Sequence, residues 1–536
     1  MLSAVHLVYA LSFLRAANAI GPVSDLVISN KVISPDGFAR SAVLAGGVFP
    51  GTPIIAKKGA HFKLNVIDTL TDNTMLRSTT IHWHGIFQEK TSWADGAAFV
   101  TQCPIAPNDS FLYDFKVPKQ VGTYWYHSHL STQYCDGLRG ALIIYDPHDP
   151  YKVLYDVDDE STIITLADWY HQPAPSANGG LPLTSQATLI NGKGRYPDGP
   201  AVPLSIINVK RHKRYRFRII AMSCDPAFTF AIDKHTLTVI EADGEYTTPL
   251  IVDSIQIFAG QRYSVIMNAN KAVSNYWIRA NPDIRGLPGF DGGRNLAILR
   301  YAGAPEVDPT TEYVSTKPLK EVNLHALFQP LAPGKPWKGG ADVHINIAHT
   351  FNFETFHYEM NGKPFIPPTA PVLLQILSGA QAAQDLLPSG SVYSLPPNKV
   401  IEISLPGTGI ELGGPHPFHL HGHTFSVVRS GDSTKYNYLN PVRRDTVNTG
   451  LSDGNATIRF VTDNAGPWFL HCHIDWHLEL GLAVVFAEDI PTIKNANPPR
   501  KHFYNFWSYG SEVTDPFLAA WDQLCPKYDA LTPDQL

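Results

Sequence analysis

Leu470-His471-Cys472-His473-Ile474-Asp475-Trp476-His477 is the stretch from which the rest of the chain can be read. A cysteine lies between two histidines, and a third histidine follows four residues after the second. Thiolate and imidazole together suit copper, zinc or iron, and one Cys with two His and a weak axial neighbour is the blue-copper set. In an extended strand, residues two apart share a face and the residue between them points the other way. His471 and His473 would then serve one side of the strand and Cys472 the other. Adjacent Cα atoms are only about 3.8 Å apart. Metal centres on the two sides would be joined by a very short covalent path, an arrangement suited to moving electrons.

The other histidines extend this reading. Four His-x-His pairs occur: His82-Trp83-His84, His127-Ser128-His129, His419-Leu420-His421 and His471-Cys472-His473, two toward each end of the chain. The middle of the chain has isolated histidines only. Each pair sets two imidazoles on one strand face, and eight imidazoles are enough for three metal ions. His416 is an odd number of residues from His419 and His421. On a strand it points away from them, toward the side that Cys472 occupies, so His416, Cys472 and His477 form a second, His₂Cys site. One pair alone could be two hydrogen-bonded or exposed histidines; four pairs and a cysteine together indicate metal binding. Donor softness favours copper. Zinc accepts the same donors but cannot carry electrons, which would leave the His-Cys-His splice without a purpose.

With 536 residues the chain is too long for one core, and two to four domains are expected. Short runs such as Asp25-Leu26-Val27-Ile28, Phe62-Lys63-Leu64-Asn65-Val66-Ile67, Ala141-Leu142-Ile143-Ile144-Tyr145 and Tyr215-Arg216-Phe217-Arg218-Ile219-Ile220 alternate with Pro/Gly/Asn/Asp clusters. This pattern, with little helical periodicity, indicates an all-β chain of sandwiches or barrels. Asp146-Pro147-His148-Asp149-Pro150 reads as a linker, and the proline-rich stretch from Asp308 to Pro336 as a second boundary. Three domains result, over 20–149, 150–320 and 321–536. Leu189-Ile190-Asn191-Gly192-Lys193 echoes Glu359-Met360-Asn361-Gly362-Lys363, which two strands entering an Asn-Gly turn would produce without any repeat.

Residues 1–19 read as a secretory signal, with an apolar run Leu7 to Leu14 and the small-x-small site Ala17-Asn18-Ala19. Cleavage would remove Arg15 and leave 41 basic against 48 acidic residues, a net of −7 in place of the full chain's −6. No basic patch points to nucleic acid, and no later apolar stretch has membrane length. Five cysteines in an oxidising compartment leave one unpaired. Cys472 is the one to spare as a metal ligand, and Cys103, Cys135, Cys224 and Cys525 then have three possible pairings. Asn108-Asp109-Ser110 and Asn455-Ala456-Thr457 are glycosylation acceptor tripeptides.

These histidine segments resemble the four copper-binding motifs of the multicopper oxidases, and in particular those of the secreted laccases of wood-decay basidiomycetes. The resemblance runs from Ile20-Gly21-Pro22 through His82-Trp83-His84-Gly85, Trp93-Ala94-Asp95-Gly96, Tyr126-His127-Ser128-His129-Leu130 and Ser223-Cys224-Asp225-Pro226. It continues through His416-Pro417-Phe418-His419-Leu420-His421-Gly422-His423 to the opening stretch. It implies three cupredoxin-like domains built as Greek-key β-barrels, and four copper ions. Type 1 copper would take His416, Cys472 and His477. Type 2 copper would take His82 and His419. One type 3 copper would take His84, His127 and His473, and the other His129, His421 and His471. The resemblance also pairs Cys103 with Cys525 and Cys135 with Cys224, bridges of a kind worth about 2–5 kcal/mol.

Further roles follow from the same resemblance. Leu482, ten residues after Cys472, falls at the axial position of the type 1 copper. Leucine cannot ligate, and a missing axial donor raises the reduction potential relative to methionine. Asp225 falls at the substrate pocket, where it would accept the proton of a phenol while His477 takes the electron; its alternative is a turn aspartate before Pro226. Asp95 matches an acidic residue that assists proton delivery near the type 2 copper, or else a turn residue before Gly96. Glu479 reads as a surface or helix-end carboxylate, and His423 as structural. His61, His171, His235 and His357 read as solvent-facing or hydrogen-bonded.

The implied activity is that of a laccase (benzenediol:oxygen oxidoreductase). Small phenolic or aromatic reductants and O₂ would be its partners, without nucleic acid or membrane. The protein would be secreted, extracellular and monomeric, with a role in degrading lignin or phenolic compounds. A ferroxidase or ascorbate oxidase would use the same coppers, but Leu482 and the lack of an evident anchor weigh against them. A copper-storage protein would need no His-Cys-His bridge.

Overall fold

Alternation of apolar and polar side chains forms the strands. In His61–Asp68, Phe62, Leu64 and Val66 are buried while Lys63 and Asn65 are half-buried, the pattern of a strand with one face on a core. Strands at the domain interfaces are closed on both faces. Gly122–Ser128 and Gly466–Cys472 are buried along their whole length, and both carry histidine motifs. The computed structural model describes residues 19–176, 184–283, 295–409, 412–496 and 516–532. The expected signal, residues 1–19, lies almost entirely outside them.

Six sheets account for most strands, and they fall into three pairs along the chain. The first pair joins Arg40–Ala45, Val23–Ile33, His61–Asp68 and Ser110–Lys116 to Gly51–Lys57, Arg139–Tyr145, Gly122–Ser128 and Ile81–His84. The second pair has six and five strands between Ile163 and Tyr301. The third has two five-stranded sheets between Val343 and Glu488, with Gly466–Cys472 at the centre of one, flanked by Ala483–Glu488 and Pro417–Leu420. Each pair is a cupredoxin-like sandwich of mixed parallel and antiparallel strands; Val23–Ile33 runs parallel to His61–Asp68 and antiparallel to Arg40–Ala45.

Both Asn-Gly segments are tight turns with left-handed residues, Asn191 at φ 49° and Gly192 at 71°, Asn361 at 51° and Gly362 at 78°. The echo between them is therefore shared turn chemistry. The chain is mostly β, as expected, with a few helices, of which Pro516–Asp529 near the C-terminus has 14 residues. Trp521, Leu524 and Tyr528 recur at helical spacing and dock on the first domain's core, where Trp521 Nε1 donates to the Thr101 carbonyl at 3.2 Å. Cys525 of this helix is bonded to Cys103, and Cys135 to Cys224. Cys472 stays outside both disulfides and is buried.

Candidate metal centre

Strand register begins the assembly. His82 lies directly opposite His127, and His419 directly opposite His471, with Phe418 opposite Cys472. Pure alternation is only approximate here. His82 and His84 both lie within Ile81–His84, but His129, His421 and His473 each fall just past the end of their strand. Their rings are aimed by the turn that follows as much as by the pleat.

The two ends of the chain meet ring on ring. His82 stacks on His421 with centroids 3.9 Å apart, and His84 on His419 at 3.8 Å. Nitrogens then converge. His471 Nε2 lies 3.4 Å from His129 Nε2 and 3.1 Å from His421 Nε2; His473 Nε2 lies 3.2 Å from His84 Nδ1. Outward-facing nitrogens are engaged elsewhere. His82 Nδ1 donates to the Asp95 carbonyl at 2.8 Å, His127 Nδ1 to that of Ser128 at 2.7 Å, His419 Nδ1 to that of Asp445 at 2.9 Å and His471 Nδ1 to that of Cys472 at 2.9 Å. His421 Nδ1 meets Asp95 Oδ2 at 2.7 Å. A proton held at Nδ1 leaves the Nε2 lone pair facing inward, as a metal ligand requires. His82, His127 and His419 have an Nε2 that is buried and without a partner among the described residues. His84 is reversed: its Nε2 faces Asp445 Oδ1 at 3.4 Å and Thr446 Oγ1 at 3.5 Å, and Nδ1 faces the cluster.

Burial, followed mainly by the proximity of the other rings, holds His84, His127, His129, His421, His471 and His473 far below the ordinary histidine pKa. They are neutral, the form in which an imidazole can ligate a metal. Orphaned inward nitrogens on backbone-oriented imidazoles fit copper. His129, His421 and His471 form one compact donor group, and His82 belongs to groups with His84 and His127 and with His419 and His421.

Behind the cluster lies a second donor group. His416 Nδ1 and His477 Nδ1 are 3.1 Å apart, and Cys472 Sγ lies 3.5 and 3.6 Å from them. All three residues are buried. The helix Asp475–Glu479 turns the chain back so that His477 reaches the same spot as Cys472. Leu482 is stapled between them: its carbonyl accepts from Cys472 N and its N–H donates to the His477 carbonyl, each at 3.0 Å. It belongs to the same apolar cluster as Cys472 and Ile474.

A cleft lined by Asp225, Gln256, Phe258, Gly413, Pro415 and Ile474 opens beside this group. Gly413 has φ 78°, and a Cβ there would stand 2.6 Å from His477 Cε1 and Nε2. Glycine thus lets the cleft approach the outer edge of that imidazole.

The remaining candidates fall as follows. Asp95 is buried and spans His82 and His421. Glu479 ends its helix, exposed, and accepts from Ser131 Oγ. His423 is buried against Glu488 at 3.2 Å; burial lowers its pKa, but the carboxylate prevails and the net direction is up. His61 pairs with Asp114, His171 with Asp36, His235 with Tyr301 and His357 with the Thr355 carbonyl. Asn108 is exposed at a turn and Asn455 half-buried at a strand start.

Three carboxylates escaped the sequence reading. Asp168 accepts from the backbone N–H groups of Cys224 and Asp225 at 3.0–3.1 Å, fixing the segment that carries Asp225. Asp445 stays ionised: burial opposes this, but Arg262 wins and its pKa lies below the usual range. Asp475 is buried beside the cluster, and desolvation pushes its pKa well up. Asp475 lay inside the opening stretch, so its place between two candidate ligands was a visible signal; Asp168 and Asp445 had none.

Three cupredoxin-like domains, with one donor set between the ends of the chain and a His₂Cys set behind it, define a copper-dependent redox protein. The multicopper oxidase family profile matches residues 27–149, 160–304 and 365–492, and the chain belongs to this family. Laccase-2 of Pleurotus ostreatus is 59% identical over 539 residues, covering 98% of this chain and 96% of that protein. A laccase of Trametes hirsuta is 60% identical over 516 residues, covering 96% and 95%. The crystal structure of a laccase from Botrytis aclada, 32% identical, superposes with a TM-score of 0.80 over 97% of this chain and 94% of that one. The chain carries donors for four coppers, one type 1, one type 2 and two type 3.

Proposed function

We propose that the chain acts as a laccase: four phenolic or related aromatic molecules each give up one electron and one proton, and one O₂ becomes two H₂O. The observation that carries this is Cys472 in the His₂Cys group with His471 and His473, its chain neighbours, in the eight-histidine group. We assign His416, Cys472 and His477 to type 1 copper and His82 and His419 to type 2. His84, His127 and His473 go to one type 3 copper, and His129, His421 and His471 to the other. Copper bound at these donors supplies the one-electron acceptor for the phenol and the electrons for dioxygen.

The chain's own residues do the rest. The cleft places a reductant against the edge of His477, and Asp225 accepts the phenolic proton there. Asp168 orients Asp225 through its backbone. Asp95 holds His82 and His421 from outside and is placed to pass protons toward the centre. Leu482 has no donor atom and would leave a copper held by His416, Cys472 and His477 without a fourth protein ligand on its side. The domain boundaries are assigned at 149/150 and 320/321. The natural setting proposed is a secreted, extracellular monomer acting on lignin-derived or other phenolics. Asn108, exposed, suits a glycan better than Asn455, whose Oδ1 accepts from Ser404 at 2.9 Å. Oxygen uptake by the copper-loaded protein tests the reading. Uptake with a phenol and no peroxide is expected; rapid oxidation of ferrous ion with no phenol-dependent uptake overturns it.

A further inference from the structure

We propose that the turn Gly260-Gln261-Arg262 of the middle domain is a clamp that sets the geometry of the eight-histidine centre, with Arg262 as its chief positioning residue. The proposal rests on the reading of those histidines as copper ligands. None of the eight comes from the middle domain, yet this segment, which leads from the strand Ser254–Ile257 into the first residue of the strand Arg262–Asn268, presses on the centre at three points.

Gly260 lies against the rings themselves. At φ 83°, a Cβ there would come within 2.8 Å of His473 Cδ2 and 3.0 Å of His84 Cε1, so the backbone itself packs on two candidate ligands of one copper. Gln261 Nε2 donates to the Thr446 carbonyl at 3.0 Å, next to Asp445. Arg262 grips Asp445 with both arms, Nη1 to Oδ1 and Nη2 to Oδ2, each at 2.7 Å. Its Nε donates to the Thr123 carbonyl of the first domain and Nη1 to the Gly260 carbonyl, each at 3.0 Å.

Asp445 passes this grip to the imidazoles. Its carbonyl accepts from His419 Nδ1 at 2.9 Å, and its Oδ1 lies 3.4 Å from His84 Nε2. One buried guanidinium therefore fixes a carboxylate that also accepts from Thr446 Oγ1 at 2.9 Å and lies 3.4 Å from a first-domain histidine, His84, and 3.6 Å from a third-domain one, His419. Gly85, which follows His84, makes room: a Cβ there would stand 2.6 Å from Arg262 Nη2 and 2.7 Å from Asp445 Oδ2. Forked, bidentate pairing is a property of arginine that lysine cannot copy. Partners behind metal ligands fix ring orientation and metal affinity.

The test uses the full copper-loaded chain and its R262K, R262M and Q261A variants. Copper per chain, the type 2 electron paramagnetic resonance signal, the blue absorption band and Tm are measured on each. In R262K and R262M the type 2 signal should be altered or lost, and chelator should extract that copper about 10–100-fold more readily, with the blue band intact. Q261A should shift the same signal less, with little change in Tm. If R262M does not fold, R262K and Q261A decide. Parental type 2 signals and chelator resistance in both overturn the clamp. So does loss of blue and type 2 copper in equal proportion, which indicates general loosening. A parent chain that binds no copper overturns the ligand reading itself, and the clamp with it.

Discussion

The ring of His84 lies flat on the ring of His419, with centroids 3.8 Å apart and planes 14° from parallel. One ring belongs to the first domain and the other to the third. Beside them His82 and His421 repeat the arrangement at 3.9 Å and 24°. Neither domain holds half a centre that could work alone; the donor set exists only where two sandwiches meet. The disulfide from Cys103 to Cys525 ties the C-terminal helix to the first domain, around the same junction.

Copper-free protein should be acid-sensitive well before its carboxylates titrate. The six buried histidines from His84 to His473 whose pKa values are depressed stay neutral in the fold. As pH falls, the unfolded chain takes up these protons first. Stability from the neutral form is thus fully present above about pH 6.5 and is lost progressively as pH falls below it. Copper at 100 times its Kd should add about 2.7 kcal/mol for each site it fills. Thermal melts of chelated and copper-loaded protein across pH check both; a copper-free Tm that stays flat from pH 7 to 5 contradicts the buried, neutral assignment.

Cys472→Ser removes the sulfur that the His₂Cys group shares and changes volume little in a fully buried place. Blue absorption and phenol-dependent oxygen uptake should fall to background, while far-UV circular dichroism stays as in the parent. Retained phenol oxidation in this variant sinks the assignment of electron entry through Cys472.

Asp225→Asn keeps the shape of the side chain and removes its base. Oxidation of phenols, which must lose a proton, should drop by about 10²–10⁴ in kcat/KM. A reductant that gives up only an electron should lose far less. Asp168 holds the backbone at Cys224 and Asp225, so Asp168→Asn should reproduce part of the same selective defect. Equal losses for both substrate types would rule out the proton-acceptor role.

Much of the site was readable because copper demands donors that cluster locally. Four His-x-His pairs, one of them the His-Cys-His splice, announce themselves within a few residues, and even His416 could be placed by parity. The clamp and the orienting carboxylates were not readable in that way. Arg262 and Asp445 are 183 residues apart, and an isolated arginine or aspartate gives no local sign of its partner. The strands were legible from alternation, as in His61–Asp68. The C-terminal helix was passed over although Trp521, Leu524 and Tyr528 keep helical spacing, because what they pack on is the first domain's core, at the other end of the chain.

Leu482→Met tests the tuning of the type 1 position. Leu482 is buried and held by the backbone of both Cys472 and His477, so a side chain of similar volume should be accepted at a cost below about 1.5 kcal/mol. A thioether there offers a weak axial donor, which stabilises the oxidised copper and lowers the reduction potential. Redox titration of the blue band should therefore move downward while Tm changes little. Oxidation should slow most for the phenols that are hardest to oxidise, since these have the least driving force to lose. An unchanged potential would mean that residue 482 does not face the metal, and the apolar packing around it would then be its whole role.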